Sequence, residues 1–131
     1  MSLSASDSLE ILQLVARADA CAGARDADGY VELFTEDALM EGDQGTVHGR
    51  GALRAAVAAV WASEPPGTLH LTLNALIHDT APNPTVTSVL LLLTPGPSTM
   101  SIDAADIRQV VRHTSAGWRI QSRTIRETPS P

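Results

Sequence analysis

The segment Leu69-His70-Leu71-Thr72-Leu73-Asn74-Ala75-Leu76-Ile77-His78 alternates apolar and polar residues over its first half. Side chains of an extended chain project to opposite faces in turn, so His70, Thr72 and Asn74 share one face and Leu69, Leu71, Leu73 and Ala75 the other. Three further stretches, Thr85 to Thr94, Met100 to His113 and Gly117 to Arg126, also read as long strands. Asp79 to Pro84, Pro95-Gly96-Pro97 and Thr114 to Ala116 are the turns between them.

Upstream of Gly67 the rhythm is helical. Asp7 followed by Glu10 predicts a capping box, and Ile11, Leu12, Val15, Ala18 and Ala22 then recur at the spacing of one helical face, giving a helix over about Ser8 to Ala22. Asp19 stands on the edge of that stripe. A short helix is expected over Asp28 to Thr35, a short strand over Ala38 to Met40, and glycine-rich loops at 41–45 and 48–51. A third helix carries Leu53, Ala56, Val57, Val60 and Trp61 and stops at Pro65-Pro66-Gly67. Helices first and strands last predict an α+β fold with an antiparallel meander. Strands of this length twist and bend, so the sheet folds over the helices and leaves a concave, partly apolar interior. Only residues 127–131 read as a tail.

The chain has 131 residues, 44% of them hydrophobic and 18% charged, which fits one globular domain. Its nine basic residues are all arginine, against fifteen acidic ones, for a net charge of −6. Without lysine there is no P-loop and no Schiff-base amine. A net-negative chain with one Phe, one Tyr and two Trp lacks the basic stripe and stacking platforms of a nucleic-acid binder. Cys21 is the only cysteine, so no internal disulfide and no cysteine-rich zinc site can form. The apolar runs Ala55 to Ala62 and Val89 to Leu93 are too short to cross a membrane, and no signal peptide is legible. The cytosol is the expected compartment.

Few residues are left to carry chemistry. His70, Thr72 and Asn74 face either an interior site or solvent, since alternation separates two faces without labelling them. On the third strand Ile102, Ala104, Asp106, Arg108, Val110 and Arg112 share one face, and Asp103, Ala105, Ile107, Gln109, Val111 and His113 the other. Asp106 is either a desolvated acid usable near neutral pH or a surface partner of Arg108 or Arg112. There is no His-x-His, no His-Glu-x-x-His, no nucleophile elbow and no complete dinucleotide fingerprint. What remains is proton transfer by His and Asp without metal or cofactor, or binding alone.

The order of Arg17, Arg25-Asp26, Leu33-Phe34-Thr35-Glu36-Asp37-Ala38, Gly45, Gly49-Arg50, Leu53, Thr68-Leu69-His70, Asn74, Arg112, Gly117-Trp118-Arg119-Ile120 and Arg123 resembles the SnoaL-like group of the nuclear transport factor 2 superfamily. The resemblance spans about Leu9 to Ile125. It implies one domain over residues 1–131 with a core at about 8–126. The implied fold is a cone-shaped α+β barrel with three helices packed on a strongly curved, mainly antiparallel sheet, paired as a homodimer through the outer sheet face. It also implies a pocket for a small hydrophobic ligand, with His70, Thr72 and Asn74 pointing inward and Asp106 in the place of an oxyanion-holding acid. The first-helix tyrosine and the base of the steroid isomerases fall on Ala18 and Gly42, so no characterised site is matched completely.

On this footing His70, Asp106 and Asp19 are the expected catalytic residues, with Asn74, Thr72, Tyr30, Phe34, Trp61 and Arg108 contacting the ligand. The expected activity is that of an isomerase, cyclase or dehydratase acting on a small apolar carbonyl or hydroxyl compound. A non-catalytic binder of a hydrophobic metabolite and a dimeric accessory subunit are the alternatives.

Overall fold

A computed structural model describes residues 2–127. The expected tail therefore lies outside the described residues except for Glu127, which ends the last strand. The first helix, α1 (Ala5–Gly23), begins earlier than the spacing predicts because Ser4 is its cap. The Ser4 hydroxyl accepts from the Asp7 amide at 2.9 Å, and the Asp7 carboxylate accepts from the Ser4 amide at 3.1 Å. This reciprocal pair satisfies two groups that a helix start leaves open. The box is thus Ser4 and Asp7, not Asp7 and Glu10.

Helix α2 (Ala27–Glu32) is shorter than expected, and the chain leaves it at Leu33 to enter strand β1 (Phe34–Gly42). The loop expected after Met40 is a hairpin, in which β2 (Gly45–His48) returns along β1 with Gly45 at a positive φ of 125°. Glycine adopts that conformation without a Cβ penalty. Helix α3 (Arg50–Ser63) follows the hairpin, so the order of a strand before the third helix is as expected.

Strands β3 (Leu69–His78), β4 (Thr85–Pro95), β5 (Met100–Thr114) and β6 (Gly117–Glu127) match the expected meander closely. The sheet order is β2-β1-β6-β5-β4-β3, antiparallel throughout except for the parallel pair β1 and β6. That pairing extends β1 beyond the expected Ala38 to Met40, since its partner is distant in sequence and invisible to local pattern.

The helices cover one face of the sheet. Ile11, Val15 and Ala18 of α1, Tyr30 of α2, Leu53 and Trp61 of α3, and Phe34, Val86, Val111 and Ile120 of the sheet form the main core. Each large apolar side chain fully buried there stabilises the fold by about 1.5–3 kcal/mol relative to exposure. The Trp118 indole donates to Asp7 at 3.1 Å and ties the start of α1 to β6.

Strand register identifies the faces. One inner row runs Ile77, Val86, Gln109, Arg123 and Met40, and another runs His70, Leu92 and Asp103. The outer rows are Leu69, Leu93 and Ile102; Leu71, Leu91 and Ala104; and Leu73, Val89, Asp106 and Arg126. Leu69, Leu71, Leu73 and Ile102 are 40–64% exposed, so this face presents an apolar patch to solvent.

Candidate functional site

His70 and Thr72 face the helices, but Asn74 does not. A register shift between Leu73 and Leu76, with Asn74 at φ 55°, reverses the alternation, so that Ala75 and Ile77 turn inward and Asn74 is exposed. Asn tolerates this left-handed conformation better than most residues. The expectation of an inward Asn74 is therefore corrected: one extra residue in a strand moves every later side chain to the other face.

The His70 side chain is only 7% exposed, and its Nε2 lies 2.9 Å from Glu64 Oε1. Glu64 terminates α3 in an extended conformation, ψ 143°, which the following Pro65 favours. The same Glu64 oxygen accepts from Arg25 Nη1 at 3.1 Å. Arg25 follows α1 in the left-handed region, φ 60°, and Nη1 also donates to the Ala22 carbonyl at 3.0 Å. The ends of two helices and the start of β3 thus converge on one carboxylate.

Deeper in, Asp19 of α1 faces the sheet and pairs with Arg123 Nη2 at 3.5 Å. Arg123 Nη1 donates to Gln109 Oε1 at 3.4 Å, its register partner on β5. Asp19, Gln109 and Arg123 are all buried. Burial pushes the Asp19 carboxyl above its ordinary range, while Arg123 and then His70 pull it down. Burial likewise raises the Tyr30 hydroxyl, with Arg123 opposing and Asp19 adding to the rise.

Two polar groupings therefore lie on the helix-covered side of the sheet: Gln109, Arg123 and Asp19 in one, and His70, Glu64 and Arg25 in the other. Leu90, Ala105 and Ile107 form a second, smaller apolar cluster, with Leu92 and Ile125 packed against it. Of the expected ligand contacts, Thr72 is on the inner face. Tyr30, Phe34 and Trp61 pack on one another in the main core, with Tyr30 5.1 Å from Phe34 and 5.2 Å from Trp61 between ring centres.

Asp106 and Arg108 are corrected. Both are exposed and lie on the outer face, in register with Val89 and Arg126 and with Thr87 and Thr124 respectively. The inner residues of β5 are Asp103, Ala105, Ile107, Gln109 and Val111, the last four of them buried, whereas the outer face carries the three charges of Asp106, Arg108 and Arg112, which burial would strip of water. Asp106 and Arg108 instead border an outer groove of about 520 Å³ with Glu41, Thr87, Thr124 and Arg126.

The sequence pattern does not mark Glu64, Gln109, Arg123 or Arg25 as site residues. Gln109 carried a signal, being a long amide among Ala105, Ile107 and Val111 on one strand face. Arg123 and Glu64 carried none that is local, because each acquires its partner only through the fold.

Chemically, a carboxylate that accepts from Nε2 leaves Nδ1 of the neutral ring with its lone pair free. The imidazole is then a base whose conjugate acid keeps a counter-charge beside it. Gln109 and Arg123 add donors, and Asp19 adds a carboxyl, on the same side of the sheet.

The SnoaL-like domain family matches residues 4–124. Among curated proteins none matches the chain in sequence. Among solved structures, a protein of unknown function with a cystatin-like fold from Nostoc punctiforme is 27% identical, with a TM-score of 0.88 over 99% of this chain and 97% of that one. An NTF2-like protein with a cystatin-like fold from Novosphingobium aromaticivorans is 25% identical, with a TM-score of 0.84 over 96% of this chain and 84% of that one. ActVI-ORFA from Streptomyces coelicolor, 19% identical, superposes with a TM-score of 0.81 over 92% and 96% of the two chains and shares the fold.

Proposed function

This chain belongs to the SnoaL-like domain family, and from that premise we propose that it is an acid/base enzyme acting on a small apolar carbonyl or hydroxyl compound, in the manner of an isomerase, cyclase or dehydratase. The observation that carries the reading is the pair of His70 and Glu64, 2.9 Å apart, with side chains 7% and 13% exposed beside the helix-covered face of the sheet. In this reading His70 Nδ1 removes a proton from carbon beside a carbonyl or hydroxyl group and later returns it. Glu64 holds the ring and balances the imidazolium, and Arg25 holds Glu64. Asp19 and Thr72 position the substrate, with the Leu90, Ala105 and Ile107 cluster against its apolar part. A well-placed base of this kind contributes about 10²–10⁴-fold in rate.

The test is exchange of the α-protons of 2-tetralone in deuterated water, followed by NMR. Native protein accelerates the exchange and His70→Gln does not, with the fold of the variant checked by circular dichroism. An equal rate for the two proteins overturns the assignment of His70.

The functional unit in this reading is a homodimer. Leu69, Leu71, Leu73 and Ile102 form a contiguous exposed patch on a sheet, and pairing two such faces removes it from water. A chain with a single cysteine suits a reducing compartment, and the reading places it in the cytosol. No helix among the described residues is long and apolar enough to cross a membrane.

A further inference from the structure

The outer face of the sheet carries a hollow of about 640 Å³ that the acid/base reading does not use. Its floor is the row Leu39, Ser122, Val110 and Thr85, in register across β1, β6, β5 and β4. One wall is the turn between β3 and β4, and this turn is held from within and from the sheet. The Thr80 hydroxyl donates to the Asn83 carbonyl at 2.9 Å, and the Asn83 side-chain amide donates to Gln121 Oε1 at 3.4 Å. Ala81 and Pro82 of the turn, with Leu39 and Val110 of the floor, give the hollow an apolar lining.

Two polar groups there lack partners. Val86 is in the main core, so alternation turns its neighbour Thr85 to the outer face and toward the hollow. Thr85 is nevertheless only 6% exposed, and among the described residues no hydrogen bond engages its hydroxyl. Arg108 borders the same hollow, and its guanidinium makes no hydrogen bond or ion pair with a described residue. Asp37 is the one carboxylate in the lining, and Arg112 Nη2 already reaches it at 3.4 Å. Asp106 and Glu41 line the neighbouring groove instead. The charge left without a counterpart in the hollow is therefore positive, in a chain whose net charge is −6.

We propose that this hollow is a second binding site, which takes a small carboxylic acid with an apolar body. The two oxygens of a carboxylate match the fork of the Arg108 guanidinium, and the Thr85 hydroxyl donates a further bond to them. The body of the ligand lies over Leu39, Val110 and Pro82. A phosphate monoester carries more negative charge than one free arginine matches, and an ammonium is repelled by it. The site is across the sheet from His70 and does not depend on the acid/base reading. It is also apart from the apolar patch, since Val110 stands roughly 27 Å along β5 from Ile102 at the rise of an antiparallel strand.

The experiment titrates the nitrogen-15-labelled chain with benzoate and with benzamide, which has nearly the same shape without the charge. Benzoate is expected to saturate at millimolar concentration, shifting the amides of Asn83, Thr85, Val110 and Ser122, and to bind at least about tenfold more tightly than benzamide. Arg108→Gln brings benzoate down to the affinity of benzamide, and Thr85→Val weakens benzoate several-fold. Arg126→Gln removes a charge that borders only the neighbouring groove, and it leaves benzoate binding within about twofold of native. Benzoate that does not saturate, or that binds no better than benzamide, overturns the site, as does an unchanged benzoate affinity in Arg108→Gln. Shifts confined to Thr87, Asp106 and Arg126, or to His70 and its neighbours, place the carboxylate elsewhere and overturn it equally. None of these results bears on proton exchange by His70, which is measured separately.

Discussion

Glu64 and His70, six residues apart, meet at 2.9 Å across the Pro65-Pro66-Gly67 turn, so the end of α3 and the start of β3 hold one buried imidazole between them. The short separation means that the pair forms as soon as helix and strand are in place. It depends on Glu64 leaving the helix in an extended conformation.

Glu64 is a positioning residue for the proposed base. Glu64→Gln is expected to lower the rate of proton exchange by at least about tenfold. The nitrogen-15 spectrum of His70 checks the cause: the native ring carries its hydrogen on Nε2, and the variant shows a changed tautomer ratio. A rate loss with an unchanged tautomer ratio points to structural damage instead.

Asp106→Asn is expected to leave exchange within about twofold of native, because the residue lies across the sheet from His70 and surface substitutions of this kind change stability by no more than about 0.5 kcal/mol. Parallel measurements of rate and thermal melting check both halves of the statement. A large loss of rate with an intact fold would return Asp106 to the site.

The outer face gives a third expectation. Leu71→Arg places a charge in the centre of the exposed rows Leu69, Leu71 and Leu73, and light scattering should then show monomer where the native chain gives dimer. Burying an unpaired charge in an apolar interface is unfavourable enough to dissociate it. Native protein that scatters as a monomer at all concentrations contradicts the dimer.

The stability of the fold depends on pH through Asp19. Burial raises its carboxyl above the ordinary value of 3.8, against the opposing pull of Arg123 and His70. Between 3.8 and the raised value, the folded chain retains a proton that the unfolded chain has released. Folding therefore binds a proton in that window, and this contribution to stability is present at low pH and lost as pH rises. Asp19→Asn removes the titration, so the melting temperature of the variant relative to native should climb as pH is raised from about 4. A difference that stays flat or falls with pH contradicts a raised Asp19.

Phe34 joins three parts of the structure, packing on Tyr30 at the start of β1 and in register with Ile120 of β6. Phe34→Ala should cost about 3–5 kcal/mol in chemical unfolding, since the side chain is fully buried and the site cannot collapse without moving a strand.

The four strands from Leu69 to Glu127 could be read almost to the residue, because proline and glycine punctuate them and their alternation is local. The helices could be read as helices, with ends that moved: Ser4 competes with Asp7 for the cap, and the stripe from Ile11 onward is the same under either choice. The extent of β1 could not be read, since it is set by a parallel partner more than eighty residues away. His70 and Asp19 were legible as candidates. The companions that give them chemistry, Glu64, Arg123 and Gln109, come from a helix end and from two strands, and each is ordinary in its own segment.

By itself the amino-acid sequence determined the element types, their order and the division of each strand into two faces, because those follow from periodicities of 3.6 and 2 carried by neighbouring residues. Only the tertiary structure decided which face is inside, since that depends on where the helices dock, and it sent Asp106 and Arg108 outward. It also decided which way Asn74 points, because the shift of register at that residue arises from pairing with β4 rather than from the composition of β3. The partner of each buried charge was decided there too, as ionic contacts between distant elements exist only once burial has brought them together and removed the water that would otherwise screen them.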